Sequence, residues 1–198
     1  MRVLVIGASG TIGSRVVTEL GKRHEIIAAG YNSGDVKVDI TDILSIKKMY
    51  QQVDNLDAVV MTTCSVHFGI LTEMNAELYK KGLDSKLMGQ VNVVLEGINH
   101  LNNKGSFTLT SGILNREPII YGSSAAMVNG ALDGFVKHAA IELPRELRIN
   151  IVSPTVITEA EGYDAYFRGF KSVSAYDASL ACSKSVEGAN TGQVYVVL

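Results

Sequence analysis

Short apolar runs recur along the chain at intervals that leave room for a helix or a loop between them. The run VLVI, at residues 3–6, has no polar residue and stops at Gly7, which is typical of a strand buried on both faces. Six further runs predict strands in the same way: EIIAA (25–29), VKV (36–38), DAVVM (57–61), SFTLT (106–110), RINIV (148–152) and QVYVVL (193–198). Seven short strands are therefore expected.

Apolar residues at helical spacing occupy several segments between these runs. Helices are predicted over residues 12–20, 43–53, 84–101 and 123–141, and NNKG (102–105) is predicted to stop the third. Parallel strands need crossover connections, and right-handed crossovers put helices on both faces of the sheet. We therefore expect an α/β fold, a single doubly wound domain over residues 1–198, with ligands bound at the carboxyl ends of its strands.

Composition narrows the classes of function. The 198 residues are 46% hydrophobic with a formal net charge of −2, as expected for one compact domain. No apolar run approaches the roughly 20 residues of a membrane span, and no basic block favours nucleic acid as a partner. Cys64 and Cys182 have no metal-ligand spacing, so no metal is expected. The residues after Met1 show no export pattern, so we expect a cytoplasmic location.

The stretch GASGTIG links the first predicted strand to the first predicted helix. Gly7 permits a sharp turn, Gly10 lets the backbone approach a pyrophosphate, and Gly13 lets the helix pack closely on the strand. The helix N-terminus offers unpaired N–H groups to an anion. In this context the spacing predicts a Rossmann dinucleotide site formed by Gly7, Ser9, Gly10, Thr11, Ile12 and Gly13.

The end of the second strand bears on the choice of coenzyme, because an acid there binds a ribose 2′-hydroxyl and excludes a 2′-phosphate. The sequence AAGYNSGD has no acid before Asp35. Tyr31, Asn32 and Ser33 can hydrogen-bond a phosphate, and Arg15 adds charge if it reaches the site. The pattern favours NADP over NAD, although Tyr31 stands where a 2′-phosphate site more often has an arginine.

VDITD, at residues 38–42, lies at the end of the third predicted strand. Together with the glycine-rich turn it resembles the short-chain dehydrogenase/reductase family, and the resemblance extends over essentially the whole chain. It implies a domain that binds a nicotinamide dinucleotide and exchanges a hydride with a small carbonyl or alcohol substrate. It also implies that Asp39 bonds the adenine amine and that Ile40 flanks the adenine ring.

Two later segments are similar to the same family near the ribose and the nicotinamide. MTTCS, at 61–65, stands at the turn beside the ribose, and LRINIVSPTVIT, at 147–158, resembles the stretch that grips the nicotinamide end. The resemblance implies that these segments contact the coenzyme through Thr62, Thr63, Cys64, Pro154, Val156 and Thr158.

The family's usual reaction needs a Ser after the fifth strand, an Asn on the preceding helix, and a Tyr and a Lys spaced Y-x-x-x-K on the next helix. Ser111 in LTSGIL matches the Ser, which polarises the substrate. VNGALDGF aligns with the family's SKAALDGF, which puts Ala125 on the Tyr and Asn129 on the Lys. The resemblance therefore implies that the proton donor and its lysine are both missing.

Lys86, in SKLMGQ, occupies the place of the family's Asn. An Asn and a Lys are thus exchanged between two helices that face the coenzyme. One hypothesis is that Lys86 supplies the ammonium near the ribose and Asn129 takes an amide role. The alternative is that Lys86 is a solvated surface lysine.

Tyr121, four residues before the lost tyrosine, is the first candidate for a replacement acid, followed by His67 and Tyr163. Each also has an ordinary interpretation. Tyr121 can be a packing residue, and His67 can be a surface histidine. Tyr163 lies in EAEGYDAYFRGF (159–170), which resembles the family's substrate lid and is expected to shape the pocket.

Two functions remain open at this point. One is a slow NADP(H)-dependent reductase of a small carbonyl compound, with Ser111 as oxyanion donor and water or Tyr121 as proton source. The other is a dinucleotide-binding sensor or scaffold without redox activity. An isomerase or dehydratase has no residue to support it. The family's usual dimer faces correspond to residues 84–101 and 123–141, so we expect a homodimer through these two helices.

Overall fold

The computed structural model describes residues 1–63, 65–163 and 165–198. Its centre is one sheet in which every neighbouring pair of strands is parallel. The strands are β1 (Arg2–Ile6), β2 (Glu25–Gly30), β3 (Val36–Lys37), β4 (Leu56–Met61), β5 (Leu101–Thr110), β6 (Arg148–Pro154) and β7 (Val194–Val197). Their order across the sheet is β3-β2-β1-β4-β5-β6-β7. The predicted seven-stranded, doubly wound α/β fold is confirmed.

Helices flank this sheet on both sides. Within the described residues they are α1 (Thr11–Leu20), α2 (Ile43–Gln51), α3 (Ala76–Gly82), α4 (Gln90–Gly97), α5 (Ser123–Glu142) and α6 (Ala175–Glu187). Short 3₁₀ turns span Leu71–Glu73 and Ile113–Asn115, and a π-helical segment, Leu83–Gly89, joins α3 to α4. In the chain as far as it is described, no helix combines the length and the apolar character that crossing a bilayer requires.

Alternate residues of β1 belong to two separate hydrophobic cores. Leu4 and Ile6 pack with α2, α4 and α5, whereas Val3 and Val5 pack with α1 and α6. All four side chains are fully buried. Successive side chains of a strand point to opposite faces, so a strand covered on both sides is apolar at every position. This explains the uninterrupted VLVI run.

The helix predicted over residues 84–101 has different bounds in the structure. Helical structure begins at Ala76, passes through the π segment and ends at Gly97. NNKG, predicted only to stop the helix, belongs to β5. The pairing of β4 with β5 shifts register between Leu56 and Ala58, which face Leu101 and Ser106. Such an irregularity inserts unpaired residues into a strand, and apolar periodicity carries no sign of it.

Helix α6 is absent from the sequence-based prediction. It begins with a capping box in which Ser174 Oγ accepts from the backbone N–H of Asp177 and the Asp177 carboxylate accepts from the backbone N–H of Ser174. Its buried face is made largely of alanine, serine and Cys182, so the apolar stripe is weak. The Ser-x-x-Asp spacing at 174–177 is the sequence signal from which this helix could have been predicted.

Burial raises the pKa of the Cys182 thiol to about 12, which leaves it protonated.

The strand order reverses between β1 and β4, which lie side by side at the centre of the sheet. Ligands of open α/β sheets bind outside the carboxyl ends of the strands at such a point. The turns that follow β1 and β4 are joined there, since the backbone N–H of Thr62 donates to the carbonyl of Ile6 at 2.9 Å. A ligand site is therefore expected where Gly7 and Thr62 meet.

Candidate functional site

Gly7 and Gly13 interlock in the turn between β1 and α1. Gly7 has φ of +85°, a conformation that residues with side chains rarely adopt, and a Cβ there would lie 2.8 Å from the Cβ of Thr63. A Cβ on Gly13 would lie 2.0 Å from the carbonyl oxygen of Gly7. Only glycine at these two positions lets α1 start so close to the end of β1.

Gly10 is constrained differently. It is the N-cap residue of α1, with an extended backbone (φ −75°, ψ 173°) that any residue can adopt, and no side chain caps this helix. A Cβ on Gly10 would meet one atom within 4 Å, the carbonyl oxygen of Gly7 at 3.3 Å. The first N–H groups of α1 therefore lack side-chain acceptors, which is the arrangement that binds anions at a helix N-terminus.

A cavity of about 370 Å³ lies beside this turn, at the carboxyl ends of β1, β2 and β4. We call it the large cavity. Ser33 Oγ, from the end of β2, donates to Ser9 Oγ at 3.1 Å and ties two of its walls together. Ten of the residues predicted from the sequence line it: Gly7, Ser9, Gly10, Tyr31, Asn32, Ser33, Asp39, Ile40, Thr62 and Thr63. Among the described residues that line it, Asp39 carries the only charge.

The acid that follows β2 turns away from the large cavity. Asp35 does not line it, and its carboxylate accepts from the backbone N–H of Ala28 at 2.9 Å. A basic group instead lies close by, because the Lys37 ammonium donates to the carbonyl of Asn32, one of the lining residues. Lys37 was not predicted, since the turn that brings β3 back beside β2 is needed to place it there.

Asp39 and Ile40 have clear structural surroundings. One carboxylate oxygen of Asp39 accepts from the backbone N–H and the hydroxyl of Thr41, at 2.9 and 2.6 Å. Its backbone N–H donates to Ser45 Oγ at 2.9 Å. Ile40 is buried, and a Cβ on Gly89 would lie 2.9 Å from its side chain. Thr41 thus orients the Asp39 carboxylate, and Ser45 in the first turn of α2 holds the Asp39 backbone, at the wall of the large cavity.

The start of α1 contributes less to the cavity than the spacing predicted. Thr11, Ile12 and Gly13 do not line it. Ile12 packs against the core under α1 and α6, and Gly13 serves the close contact with Gly7. Arg15 is exposed on α1 and is also outside the lining.

The segment after β6 is divided in the same way. Pro154 lines a second, smaller cavity, whereas Val156 and Thr158 line neither of the two. Their main chain pairs with Val173, by Val173 N to Val156 O at 3.0 Å and Thr158 N to Val173 O at 2.8 Å. Cys64, predicted to contact the ribose, lies outside the described residues.

The second cavity, of about 140 Å³, adjoins the first. We call it the small cavity. Ser65 and Ser85 line the large cavity, and the residues that follow them, Val66 and Lys86, line the small one. Three of the predicted reactive residues line it: Lys86, Ser111 and Asn129. The rest of its wall is largely apolar and includes Phe68, Ile113, Leu114, Ala125 and Phe167.

Lys86 lies in the π segment and is only 7% exposed, which excludes the surface-lysine alternative. Its ammonium donates to the Ser111 carbonyl at 3.0 Å. Asn129 donates through Nδ2 to the next carbonyl, that of Gly112, at 3.1 Å, and its Oδ1 is buried without a partner. Within the described chain, no hydrogen bond joins Lys86 to Asn129. The two side chains instead hold the same peptide segment from two helices.

Gln90 fixes the π segment against the end of β5. It is fully buried, its Nε2 donates to the carbonyls of Lys86 and Thr110 at 2.9 and 3.0 Å, and its Oε1 accepts from the backbone N–H of Thr110 at 2.9 Å. π-helical turns are uncommon and occur often at functional sites. Gln90 was not among the predicted site residues. Its sequence signal was an amide side chain within an otherwise apolar helical stripe.

The Ser111 hydroxyl is held by a buried acid. Its Oγ donates to Asp133 Oδ1 at 3.1 Å, and the other Asp133 oxygen accepts from Asn115 at 2.8 Å and from the Arg116 guanidinium. Arg116 also donates to Ser153 Oγ at 2.9 Å. The Ser111 proton is directed to Asp133 in this arrangement, so donation to a substrate oxygen requires the hydroxyl to turn.

The three candidate proton donors lie outside the small cavity. Tyr121 has φ of +67°, lines a neighbouring cavity of about 280 Å³ and packs edge to face against Tyr166, with ring centroids 5.7 Å apart. His67 is partly exposed beside Gly69. Tyr163 packs against Phe68 at 5.9 Å. Tyr121 therefore has the packing role considered for it, whereas Tyr163, expected to shape the pocket, packs on Phe68 without lining the small cavity.

Aromatic residues of the 159–170 segment cover the small cavity. Phe167 lines it and packs edge to face against Phe170, with centroids 5.3 Å apart. Both rings join a cluster with Ile113, Leu114 and Ala125. Phe167 thus supplies an apolar ring at the wall of the small cavity, and the lid role implied by the family resemblance stays a prediction.

Comparison with known proteins identifies the family to which the chain is similar. The family model described as enoyl-(acyl carrier protein) reductase matches residues 11–198. An uncharacterized oxidoreductase of Methylorubrum extorquens is 28% identical over 163 residues, which cover 79% of this chain and 64% of that protein. The chain therefore spans somewhat less than two thirds of this relative.

Solved structures agree along the entire chain. The protein lin1944 of Listeria innocua is 53% identical, with full coverage of both chains and a TM-score of 0.98. A small-chain dehydrogenase solved in complex with NADPH is 23% identical, covers 100% of this chain and 96% of its own, and has a TM-score of 0.88. The glycine-rich turn, the parallel sheet and the match to the family model together show that the chain belongs to the short-chain dehydrogenase/reductase family.

Proposed function

We propose that the protein is an NADP(H)-dependent oxidoreductase that acts on a small carbonyl or alcohol substrate. The observation that carries this proposal is the uncapped N-terminus of α1 beside Gly7 and Gly10, at the reversal of strand order. It supplies main-chain N–H groups and a glycine surface at the edge of a cavity of about 370 Å³.

The donor set of the large cavity fits a dinucleotide. Ser9, Gly10 and the first N–H groups of α1 would hold the pyrophosphate. Asp39 and Ile40 would bind the adenine, and Thr62 and Thr63 would lie along the ribose, with Cys64 assigned there by the family resemblance. Pro154, which lines the small cavity, would contact the nicotinamide end. When bound, the nicotinamide supplies or accepts the hydride.

The end of β2 supports NADP over NAD. The Asp35 carboxylate accepts a hydrogen bond from the backbone N–H of Ala28 and does not line the large cavity, so it is not placed to repel a 2′-phosphate. Tyr31, Asn32 and Ser33 offer hydrogen-bond donors, and Lys37 adds a positive charge within reach of Asn32. A relative with the same fold was solved with NADPH, which is consistent with this choice.

The residues of the small cavity give a limited set of chemical roles. Ser111 would bind the oxygen of the substrate after its hydroxyl turns from Asp133, and Lys86 and Asn129 would position the ligand. Water would supply the proton, because Tyr121 lies outside the small cavity and packs against Tyr166. A well-placed general acid contributes about 10²–10⁴-fold to a rate, and Ala125 holds the place of the family's tyrosine. Slow turnover is therefore expected.

NADPH fluorescence provides the direct test. Binding should enhance NADPH emission, and oxidation in a screen of aldehydes and ketones should remove absorbance of the reduced coenzyme. Ser111→Ala should abolish oxidation and leave coenzyme binding unchanged. Unchanged turnover in this variant removes Ser111 from the mechanism, and absence of binding to either coenzyme contradicts the proposed function.

A dinucleotide-binding sensor or scaffold is the second candidate. It is favoured by one observation, the presence of Ala125 and Asn129 where the family has its Tyr and Lys. Both candidates bind the coenzyme, but only the oxidoreductase consumes it. Binding without oxidation across the carbonyl screen therefore selects the sensor.

The protein would act as a homodimer in either case. Helices α4 and α5 expose several large apolar side chains on one face of the sheet: Leu95, Met127 and Ile141. Two such helices can form a helix-packed two-fold interface.

A further inference from the structure

The small cavity contains a buried positive charge. Lys86 is 7% exposed, and its ammonium makes one hydrogen bond, to the neutral Ser111 carbonyl. Across residues 1–63, 65–163 and 165–198, no ion pair includes Lys86. Buried charges are costly unless an opposite charge or several hydrogen bonds compensate them. The cavity thus provides a cation with donors to spare.

A buried acceptor accompanies this cation. The Gly112 carbonyl fixes the Asn129 amide, because reversing the amide would bring two oxygens face to face. Its Oδ1 is therefore the atom without a partner, in a residue that is 1% exposed and lines the cavity. A ligand that satisfies both groups must bring an acceptor to Lys86 and a donor to Asn129.

We propose that the small cavity is a subsite for a short-chain hydroxycarboxylate. The carboxylate neutralises Lys86, the hydroxyl donates to Asn129 Oδ1, and the carbon chain contacts Val66, Phe68 and Phe167. This inference rests on the proposed function, for which it names the substrate class.

The size and lining of the cavity set the chain length. Its volume of about 140 Å³ is less than half the 370 Å³ of the large cavity, which suits an acid of a few carbon atoms. A ribose hydroxyl of the coenzyme would also accept from Lys86 and donate to Asn129. It brings no negative charge, however, and leaves the ammonium uncompensated.

Calorimetric titration of the full chain compares 3-hydroxybutyrate with its neutral amide, 3-hydroxybutyramide, with and without saturating NADP⁺. The acid should bind at least about tenfold more tightly, since hydrogen bonds to a charged group are stronger than neutral ones. Lys86→Met should abolish this preference. Lys81→Met, at an exposed lysine of the neighbouring helix α3, should retain it.

Asn129→Asp provides a second variant in case Lys86→Met does not fold. It adds a negative charge to the same cavity and should weaken binding of the acid more than binding of the amide. Equal affinity for acid and amide, failure of both to bind, or an acid preference that persists in Lys86→Met would overturn the proposal.

NADPH fluorescence titration of the same samples separates this result from the proposed function. Acid-selective binding without coenzyme binding supports the subsite and contradicts the oxidoreductase. Coenzyme binding without acid selectivity overturns the subsite and leaves the oxidoreductase intact.

Discussion

The three glycines of the first turn are under different physical constraints. Gly7 and Gly13 are needed to bring α1 against β1, whereas the backbone of Gly10 is accessible to any residue. A side chain at Gly10 makes one close contact, 3.3 Å from its Cβ to the carbonyl oxygen of Gly7, and otherwise acts on whatever approaches the helix N-terminus. This difference allows binding and stability to be separated.

Gly10→Asp should weaken coenzyme binding without loss of stability. Aspartate is a favourable N-cap residue, so the Tm should stay unchanged or rise slightly. Its carboxylate would repel the pyrophosphate, so NADPH affinity should fall by at least about tenfold. Thermal melting and NADPH fluorescence titration measure the two effects.

Asn103→Asp, at an exposed position of β5 outside the lining of the large cavity, is the control for added charge. It should bind NADPH normally. Gly13→Ala should show the opposite pattern to Gly10→Asp, with a lowered Tm. Tight NADPH binding by Gly10→Asp would contradict the assignment of this turn.

Lys37→Gln should weaken NADPH binding by about tenfold and leave NADH binding unchanged, because the charge removed serves only the 2′-phosphate. Paired titrations with the two coenzymes measure the ratio. Lys48→Gln, at an exposed lysine of α2, is the matched control. An equal loss for both coenzymes would assign Lys37 to the fold, and no loss would exclude it from the site.

Single residues were predictable where the chain places them next to a recognisable turn or strand end. The wall of the large cavity follows from three such places, around Gly7, Tyr31 and Thr62. The partner of the Ser111 hydroxyl was not predictable, since Asp133 lies 22 residues further along the chain. Its contact depends on how α5 packs against β6 and the 3₁₀ turn after β5, which no spacing rule gives.

Helix boundaries depend on contacts that periodicity does not report. The helix predicted over 84–101 is an α-helix between residues 90 and 97, where Gln90, Val93, Val94 and Gly97 are buried and Leu95 is exposed. The helical path before it includes a π segment held by Gln90. Side-chain to main-chain hydrogen bonds, not apolar spacing, set that segment. Helix α6 was missed for the complementary reason, since small residues form its buried face.

The capping box of α6 gives a prediction at this scale. Ser174→Ala should lower the Tm by about 2–4 °C, because loss of an N-cap costs on the order of 1 kcal/mol in a domain of this size. Ser172→Ala, at a serine two residues earlier, controls for substitution in the same loop. A Tm equal to that of the unaltered chain would show that the cap does not stabilise the fold.

The same box should make stability depend on pH. Hydrogen bonds from the Ser174 hydroxyl and backbone N–H lower the pKa of Asp177 below 3.8. Because the folded-state pKa is depressed, the stabilisation is present above about pH 4 and is lost as the pH falls through the folded value. The Tm difference between the unaltered chain and Asp177→Asn should shrink below pH 4.

Glu161→Gln is the control for this pH dependence, since Glu161 joins no ion pair or side-chain hydrogen bond in the described ranges. Its Tm should follow that of the unaltered chain at every pH. A Tm difference for Asp177→Asn that stays constant down to pH 3 would contradict the linkage.

The architecture of the whole molecule was the most predictable level. Seven apolar runs, most of them separated by segments long enough for a helix, predict a doubly wound sheet. The strand order β3-β2-β1-β4-β5-β6-β7 is seen only in the structure. The irregular pairing within β5 and the late helix α6 did not alter this topology. Errors at element boundaries therefore did not propagate to the fold.

Leu95→Lys should convert the proposed homodimer to a monomer. Leu95 is 52% exposed on α4, and a charge there would be buried without a partner in a helix-packed interface. Light scattering after size exclusion measures the mass. Leu180→Lys, 41% exposed on α6 at the opposite face, should leave the dimer intact. A monomeric unaltered chain, or a dimeric Leu95→Lys, contradicts the interface.

The large and small cavities share main chain at two places, because Ser65 and Ser85 line the large cavity and the next residues, Val66 and Lys86, line the small one. A substitution that reshapes the small cavity therefore also moves main chain that lines the large cavity. Libraries that aim to broaden what the protein accepts at position 66 or 86 should be selected with saturating coenzyme present. Variants selected without coenzyme should show altered affinity for the coenzyme as their affinity for the new substrate improves.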